Sequence, residues 1–308
     1  GAFVVIALLV DFYALNRRGA RSVSIADAAV WSLVWVAVSL VFVGWMWWQL
    51  GGLAPDAATR EVADAKALEF VTGYLVEKAL AVDNIFVFVV IFAAFAVPAA
   101  YQHRVLFWGV LGALVMRAGF ILAGGAFLHA FHWAIYVFGG ILAVTGVKLL
   151  VQRHHEVHPE RNPLVRAFQK ILPITPTFDG AKFLVRRNGR RYGTPLLLAL
   201  VTVEITDVIF AVDSIPAIFA ITTDPFIVFT SNIFAILGLR SLYFLLAGVI
   251  EKFVYLKVGL SLVLIFVGAK MLAMDVYKLP IVASLGVIAA ILGGSVALSL
   301  LKTRRDAA

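Results

Sequence analysis

The sequence predicts an all-α polytopic membrane protein with about nine transmembrane helices, six of which form two inverted three-helix repeats. Hydrophobic residues make up 62% of the 308 positions and charged residues 14%, whereas soluble domains average roughly 45–50% apolar and about 25% charged residues. Mean hydropathy is +0.98, and apolar runs near the ~20 residues that cross a bilayer recur along the chain. A soluble globular enzyme is therefore excluded. The absence of cysteine also excludes disulfides, thiolate metal sites and cysteine nucleophiles.

Hydropathy and helix-breaking residues together define nine spans. They are predicted at 2–15, 29–50, 67–96, 105–128, 133–151, 194–221, 226–250, 255–273 and 280–301. The first is too short to cross the bilayer, so we interpret it as a truncated span, and the role of Asp11 within it is open. Between spans five and six, an amphipathic stretch from Leu164 to Leu172 and the turn signal Asn188–Gly189 predict a surface-lying linker.

The spans and the charges between them predict five segments and one orientation. The segments are two N-terminal transmembrane helices with an outer linker (1–66), a first three-helix repeat (67–151), a basic cytoplasmic linker (152–193), a second, inverted three-helix repeat (194–274), and a final helix with a cytoplasmic tail (275–308). Of the 26 Lys and Arg residues, 18 fall in the loops after odd-numbered spans or in the C-terminal tail, and three fall on the opposite side. The positive-inside rule then predicts an outside N-terminus and a cytoplasmic C-terminus.

An internal repeat relates spans three to five with spans six to eight. The matched segments are Leu80–Ile85 with Phe210–Ile215, Met116–Phe120 with Leu239–Tyr243, and Gly146–Leu150 with Gly268–Leu272, at offsets of 130, 123 and 122 residues. Because each unit holds three spans, the second copy must cross the membrane in the opposite sense. Inverted repeats of this kind are typical of transporters that bind substrate near the bilayer midplane.

Carboxylates stand within two of the predicted spans, where an ionised group costs about 2.5–3.5 kcal/mol at the bilayer centre. Glu69, near the outer end of span three, is interpreted as an interfacial or vestibule charge. The other acidic residues of spans three and six, together with an amide and a hydroxyl, provide hard oxygen donors that suit Mg²⁺, Ca²⁺ or Mn²⁺. We therefore predict a divalent-cation site formed by Glu77, Asp83, Asn84, Glu204, Asp207, Asp213 and Ser214.

Helical geometry alone does not direct these groups towards one ion. At 100° per residue, Glu77 and Asp83 lie about 120° apart around the helix, and so do Asp207 and Asp213. Pro216 lacks an N–H group and so predicts a broken helix next to Asp213. In span three, a break is expected from the repeat.

Basic side chains on the same and neighbouring spans are predicted to support the site. They are Lys78, Arg117, Lys148, Arg240 and Lys270, and we expect them to orient and partly neutralise the carboxylates. The alternative is a static ion-pair network of the same residues, which would need no transported ion.

Four long stretches of the chain resemble one family of bacterial membrane proteins. The stretches are VEKALAVDNIFVF at 76–88, YQHRVLFWG at 101–109, EITDVIFAVDSIPAI at 204–218 and TSNIFAILGLR at 230–240, and they resemble the TerC/Alx family. The resemblance implies a LysE-like transporter fold in the bacterial inner membrane and export of Mn²⁺ from the cytoplasm. It also implies that the metal-handling acids are Glu77, Asp83, Glu204, Asp207 and Asp213. The family name comes from tellurium resistance, whose mechanism the resemblance leaves open.

The resulting hypothesis is a metal ion transporter that is not an enzyme and needs no cofactor. Protons are expected to move in exchange for Mn²⁺, because clustered carboxylates cannot all stay ionised once the cation leaves. The lipid bilayer is an expected partner and nucleic acid is not, since arginines beside a span more often meet anionic lipid. An intramembrane aspartyl hydrolase using Asp83 and Asp213 and a non-transporting component of a tellurium or metal stress-response complex are the alternatives. Residue types alone do not separate Mn²⁺ from Ca²⁺ or Mg²⁺.

Overall fold

The computed structural model describes residues 25–131, 133–151, 163–187, 189–247, 255–277 and 279–306. In these ranges the helices are α1 (Ile25–Gln49), α2 (Ala57–Ala94), α3 (Ala99–Ala130), α4 (Ala134–Val151), α5 (Pro163–Ile171), α6 (Pro195–Phe219), α7 (Pro225–Ile236), α8 (Leu239–Ala247), α9 (Leu256–Leu272) and α10 (Ile281–Asp306). Strands β1 (Leu184–Arg187) and β2 (Arg190–Gly193) lie between α5 and α6. The predicted first span, with Asp11, lies outside the described residues.

Five of the described helices are long and apolar enough to cross a membrane. They are the segments Ala26–Gln49, Ala99–Ala126, Ala134–Val151, Pro195–Phe219 and Ile281–Thr303, and the pair α7 and α8 counts as a sixth if it is one bent span. The predicted helical membrane protein is thereby confirmed, whereas the number of nine spans stays a prediction. Helix α2 begins ten residues before the predicted span, because the Asp56 carboxylate accepts a hydrogen bond from the Thr59 N–H and caps its first turn.

The helix break lies in a different place from the one predicted, so that prediction is wrong. Helix α6 continues through Pro216 to Phe219, although the proline has no N–H group to donate to the carbonyl of Val212. Helix α2 is also continuous. The interruption instead separates α7 from α8 at Gly238, whose φ is +83°. A Cβ there would lie 2.6 Å from the Trp35 side chain, so both the backbone conformation and the packing require glycine.

Glycines allow helices α4 and α9 to pack closely. A Cβ on Gly268 of α9 would lie 2.6 Å from the backbone nitrogen of Ala143 on α4, and a Cβ on Gly146 would lie 2.8 Å from the carbonyl oxygen of Ser261. In lipid, where no hydrophobic force draws helices together, such small residues permit the close backbone contact that holds a helix pair.

Helices α2 and α6 lie side by side in opposite directions. Glu69, in the first part of α2, accepts a hydrogen bond from Thr222, which follows the end of α6. Helix α2 also packs on α7 and α3 packs on α6, while α1 covers α2 and α8, and α10 covers α9 and α2. Polar residues on the facing sides of α2 and α6 are therefore shielded from the outside of the bundle.

The predicted linker is folded in its described part. Strands β1 and β2 form an antiparallel hairpin in which Arg187 stands opposite Arg190, and Gly189 adopts a φ of +77° in the turn, as the turn signal predicts. Asn188 lies outside the described residues. The backbone of Gly193 pairs with Pro173 and Thr175, which ties the hairpin and α5 to the start of α6.

We expect Gly268→Ala to lower the free energy of unfolding by about 1–3 kcal/mol, the usual cost of overpacking a filled interface. Gly140→Ala on α4 is the matched control, because nothing lies within 4 Å of its added Cβ and a compatible Gly-to-Ala change is neutral or stabilising. Thermal unfolding of the detergent-purified variants measures both effects. Equal melting temperatures would contradict the close packing of α4 on α9.

Candidate cation site

A buried arginine joins two of the predicted ligands. Arg117 on α3 is 3% exposed, and its guanidinium forms ion pairs with Glu77 on α2 and Asp207 on α6. The Nε and Nη2 atoms donate to the two oxygens of Asp207 at 3.2 and 3.1 Å, in the bidentate geometry that a planar guanidinium favours. The ion pairs thus connect three helices at one buried point.

Buried polar side chains recur at two-turn spacing on α2 and on α6. Glu77 and Asn84 on α2, and Asp207 and Ser214 on α6, are all at most 4% exposed. Seven residues are close to two helical turns, so the members of each pair face the same way. The positions that the sequence repeat matches with each other are therefore buried on both helices.

Several oxygens on α2 and α6 are buried without a hydrogen-bond donor among the described residues. They are Oε2 of Glu77, Oε2 of Glu204 and Oγ of Ser214. Glu204 stands one turn before Asp207, and its carboxylate lies so close to Gly112 of α3 that no Cβ would fit there. Buried polar oxygens are normally satisfied, and a bound cation is one way to satisfy such a group.

Asp83 lies within α2 and Asp213 within α6, but both side chains are outside the part of the chain that the structure describes. Among the described side chains, no three His, Cys, Asp or Glu residues come together as a metal site. The Arg117 guanidinium lies between Glu77 and Asp207 and pairs with both.

The other predicted supporting charges do not contact the described carboxylates of the site. Lys78 donates to the backbone carbonyl of Ala235 at 3.2 Å, and the Arg240 guanidinium lies 5.7 Å from the centre of the Phe107 ring. Lys148 and Lys270 stand in the last turns of α4 and α9, where a positive charge complements the helix dipole.

A second polar cluster closes one end of the bundle, and the sequence did not reveal it as a unit. The Glu69 carboxylate accepts hydrogen bonds from Lys66 at 3.0 Å and Thr222 at 2.6 Å, and Lys66 also pairs with Asp224 at 3.2 Å. A cavity of about 330 Å³, lined also by Lys270, lies beside this cluster. The i,i+3 spacing of Lys66 and Glu69 was a local signal, whereas the contact with Thr222 arises only from tertiary packing.

Comparison with known proteins gives one consistent result. The profile of the family described as "Integral membrane protein TerC family" matches residues 62–307. The chain is 56% identical over 303 residues to an uncharacterized membrane protein of Myxococcus xanthus, covering 98% of this chain and 91% of that protein. It is 53% identical over 289 residues to the putative membrane-bound redox modulator Alx of Escherichia coli K12, covering 94% and 89%. No solved structure matches the chain.

We expect Arg117→Gln to destabilise the protein by about 3–5 kcal/mol, because it leaves two buried carboxylates without a counter-charge. Adding Glu77→Gln to Arg117→Gln should recover part of the loss by removing one of these charges. Lys148→Gln, at an exposed position on α4, is the control and should leave the melting temperature unchanged. An Arg117→Gln protein that melts with the wild type would contradict the buried ion pairs.

The stability contribution of Lys66, which precedes the third predicted span, is expected to depend on pH. Burial opposes its charged form, but hydrogen bonds to Glu69 and Asp224 outweigh that effect and raise the pKa of Lys66. Because its pKa is raised in the folded state, charged Lys66 contributes its full stabilisation at pH values below the ordinary lysine pKa of about 10.4. This contribution is lost as the pH rises through the higher pKa that Lys66 has in the folded protein. The melting-temperature difference between wild type and Lys66→Met should therefore stay constant from about pH 7 to about pH 9 and shrink above about pH 11. A difference that persists unchanged at high pH would contradict the ionic contacts of Lys66.

Proposed function

Because the chain belongs to the TerC family of integral membrane proteins, we propose that it is a divalent metal ion transporter that exports Mn²⁺ from the cytoplasm. The motif resemblance that predicted the family is confirmed by the match over residues 62–307. The single observation that carries the proposed function is the buried meeting point of Glu77, Asp207 and Arg117. Among the described residues, buried carboxylate and hydroxyl oxygens on α2 and α6 have no hydrogen-bond donor, which a purely structural ion pair does not require.

The proposed site lies between α2 and α6 and is built from hard oxygen donors. Its members are Glu77, Asp83, Asn84, Glu204, Asp207, Asp213 and Ser214. The opposite directions of α2 and α6 support the inverted repeat on which this site depends. The helix contacts support it as well: α2 packs on α7, α3 packs on α6 and α4 packs on α9. In the repeat, α2 corresponds to α6, α3 to α7 and α4 to α9. A two-fold relation between the repeats therefore exchanges the first two contacts with each other and leaves the third unchanged.

Arg117 is, in this proposal, the cation that the transported ion replaces. A guanidinium keeps its charge at every physiological pH, so it can offset one of the two negative charges of Glu77 and Asp207 when no metal is bound. An entering divalent ion must displace Arg117, and the arginine returns when the ion leaves. The remaining carboxylates of the proposed site are Asp83, Glu204 and Asp213. Clustered carboxylates cannot all stay ionised once the metal leaves, so protons take its place there and the cycle becomes proton antiport.

The polar cluster at the end of the bundle acts in this cycle as the outer closure. Lys66, Glu69, Thr222 and Asp224 fasten the start of α2 to the connection between α6 and α7. Alternating access requires one repeat to move against the other, so these contacts must separate before the ion can leave. The neighbouring cavity then provides the exit.

We assign the protein to the bacterial cell membrane as a multi-pass protein with an outside N-terminus and a cytoplasmic C-terminus. The distribution of Lys and Arg supports this orientation. The guanidinium of Arg104, at the start of α3, lies 5.2 Å from the centre of the Phe183 ring in the linker. This contact supports placing the start of α3 and the linker on the same side of the membrane. Glu69, Thr222 and Lys270 line one cavity, which supports placing all three residues on the opposite side of the membrane.

Two substitutions test the site in cells. Asp83→Asn and Asp213→Asn remove charge while keeping shape, so each should abolish the relief of manganese toxicity that the wild-type chain gives to a sensitive bacterial host, with unchanged amounts of protein in the membrane. Asp64→Asn is the matched control, because Asp64 lies on α2 at an exposed position and should tolerate the change. Relief at the wild-type level by both site variants would contradict the assignment.

A non-transporting role in a metal or tellurium stress-response complex is the alternative. Relatives are named putative membrane-bound redox modulators, a name that describes an effect rather than a transported ion. In that case the chain would relieve stress without moving Mn²⁺, and the neutral variants would relieve it as well.

A further inference from the structure

We propose that the linker carries a basic surface that binds the anionic phospholipid headgroups of the membrane that the chain itself spans. The surface, here called the basic hairpin surface, is formed by α5 and by both faces of the hairpin, where Arg186 and Arg191 share one face and Arg187 and Arg190 share the other. Its members are Arg166, Lys170, Arg186, Arg187, Arg190 and Arg191, together with the apolar Ile171 and Leu184, and all are exposed.

The charges on this surface have no internal counter-charge in the described linker. From Pro163 to Gly193 the sequence contains seven Lys and Arg residues and a single acidic residue, Asp179. Asp179 pairs with Lys182 at 3.3 Å, outside the hairpin strands. Within the described part of the linker, the four arginines of the hairpin therefore have no acidic partner, and an external anion can supply one.

The strand register places like charges directly opposite each other. Arg186 stands opposite Arg191, and Arg187 stands opposite Arg190. Like charges in cross-strand pairs destabilise a hairpin, so this arrangement is unfavourable without a partner. Phosphate groups between the arginines would turn the repulsion into attraction, and the planar guanidinium is suited to bidentate phosphate contacts.

The fold holds this surface beside the membrane. Strand β2 ends at Gly193, only two residues before α6 begins at Pro195. Ile171 and Leu184 are 82% and 52% exposed beside the basic groups. Apolar side chains among Lys and Arg are typical of segments that lie in the headgroup layer. Nucleic acid or free phosphate would contact the same arginines, but neither accounts for the exposed apolar pair or for the position of the surface.

The test compares the full-length protein in nanodiscs of phosphatidylcholine alone and of phosphatidylcholine with about one-third phosphatidylglycerol. Hydrogen exchange of the hairpin amides at 184–193 is the measurement. A basic residue at an anionic surface contributes about a fivefold preference, so we expect exchange at least tenfold slower in the anionic discs. About 1 M salt, which shortens the Debye length to ~3 Å, should remove the difference.

Variants separate charge from fold. Replacing Arg186, Arg187, Arg190 and Arg191 by Gln should abolish the protection, whereas replacing all four by Lys should retain most of it. Lys182→Gln removes a positive charge of the linker outside the hairpin strands. It is the control and should show the same amide exchange as the wild type. Transport is not measured, so this test can fail while the proposed function stands.

Two results would overturn the proposal. One is equal exchange of the hairpin amides in neutral and anionic discs. The other is protection of the hairpin amides in neutral discs when glycerol phosphate or a short oligonucleotide is added, if that protection is as large as the one given by phosphatidylglycerol. The anion would then come from solution and not from the membrane.

Discussion

The ion pairs of Arg117 with Glu77 and Asp207 are the constraint on which the rest of the structure depends. They hold α3 against α2 and α6 within the part of the bundle that is shielded from lipid and water. A buried ion pair adds little stability compared with well-packed apolar residues, but removing one partner is costly. Buried carboxylates of this kind therefore indicate a function, and in the proposed transport cycle the arginine offsets one of their charges when the metal is absent.

The helices divide into a closely packed scaffold and a set that carries the candidate site. Helices α4 and α9 pack backbone to backbone through Gly146 and Gly268 and contribute no ligand. Helices α2 and α6 carry the buried carboxylates, and polar contacts connect them through Glu69 and Thr222 at one end. At the other end, the hairpin connects to α6 through Gly193. Movement in a transport cycle would thus be concentrated in the contacts of α2 and α6.

Much of this fold could be predicted from hydropathy, because a chain in lipid must satisfy its backbone hydrogen bonds within helices. Periodicity and the repeat also identified the buried positions of Glu77 and Asp207. Sequence alone could not show which of the five predicted supporting bases contacts Glu77 and Asp207, since this depends on α3 lying beside both α2 and α6. The break at Gly238 was missed because it depends on packing against Trp35. Pro216 was misleading because the loss of one backbone donor did not interrupt α6.

The most direct test of the central claim is ion flux in proteoliposomes that contain a pH-sensitive dye. An imposed Mn²⁺ gradient should drive manganese across the membrane with opposing proton movement, and Asp213→Asn should abolish both. A panel with Ca²⁺ and Mg²⁺ measured in the same vesicles identifies the preferred ion. Absence of Mn²⁺ flux in the wild type, or equal flux in the wild type and in Asp213→Asn, would contradict a carboxylate transport site between α2 and α6. Flux without proton movement would contradict antiport.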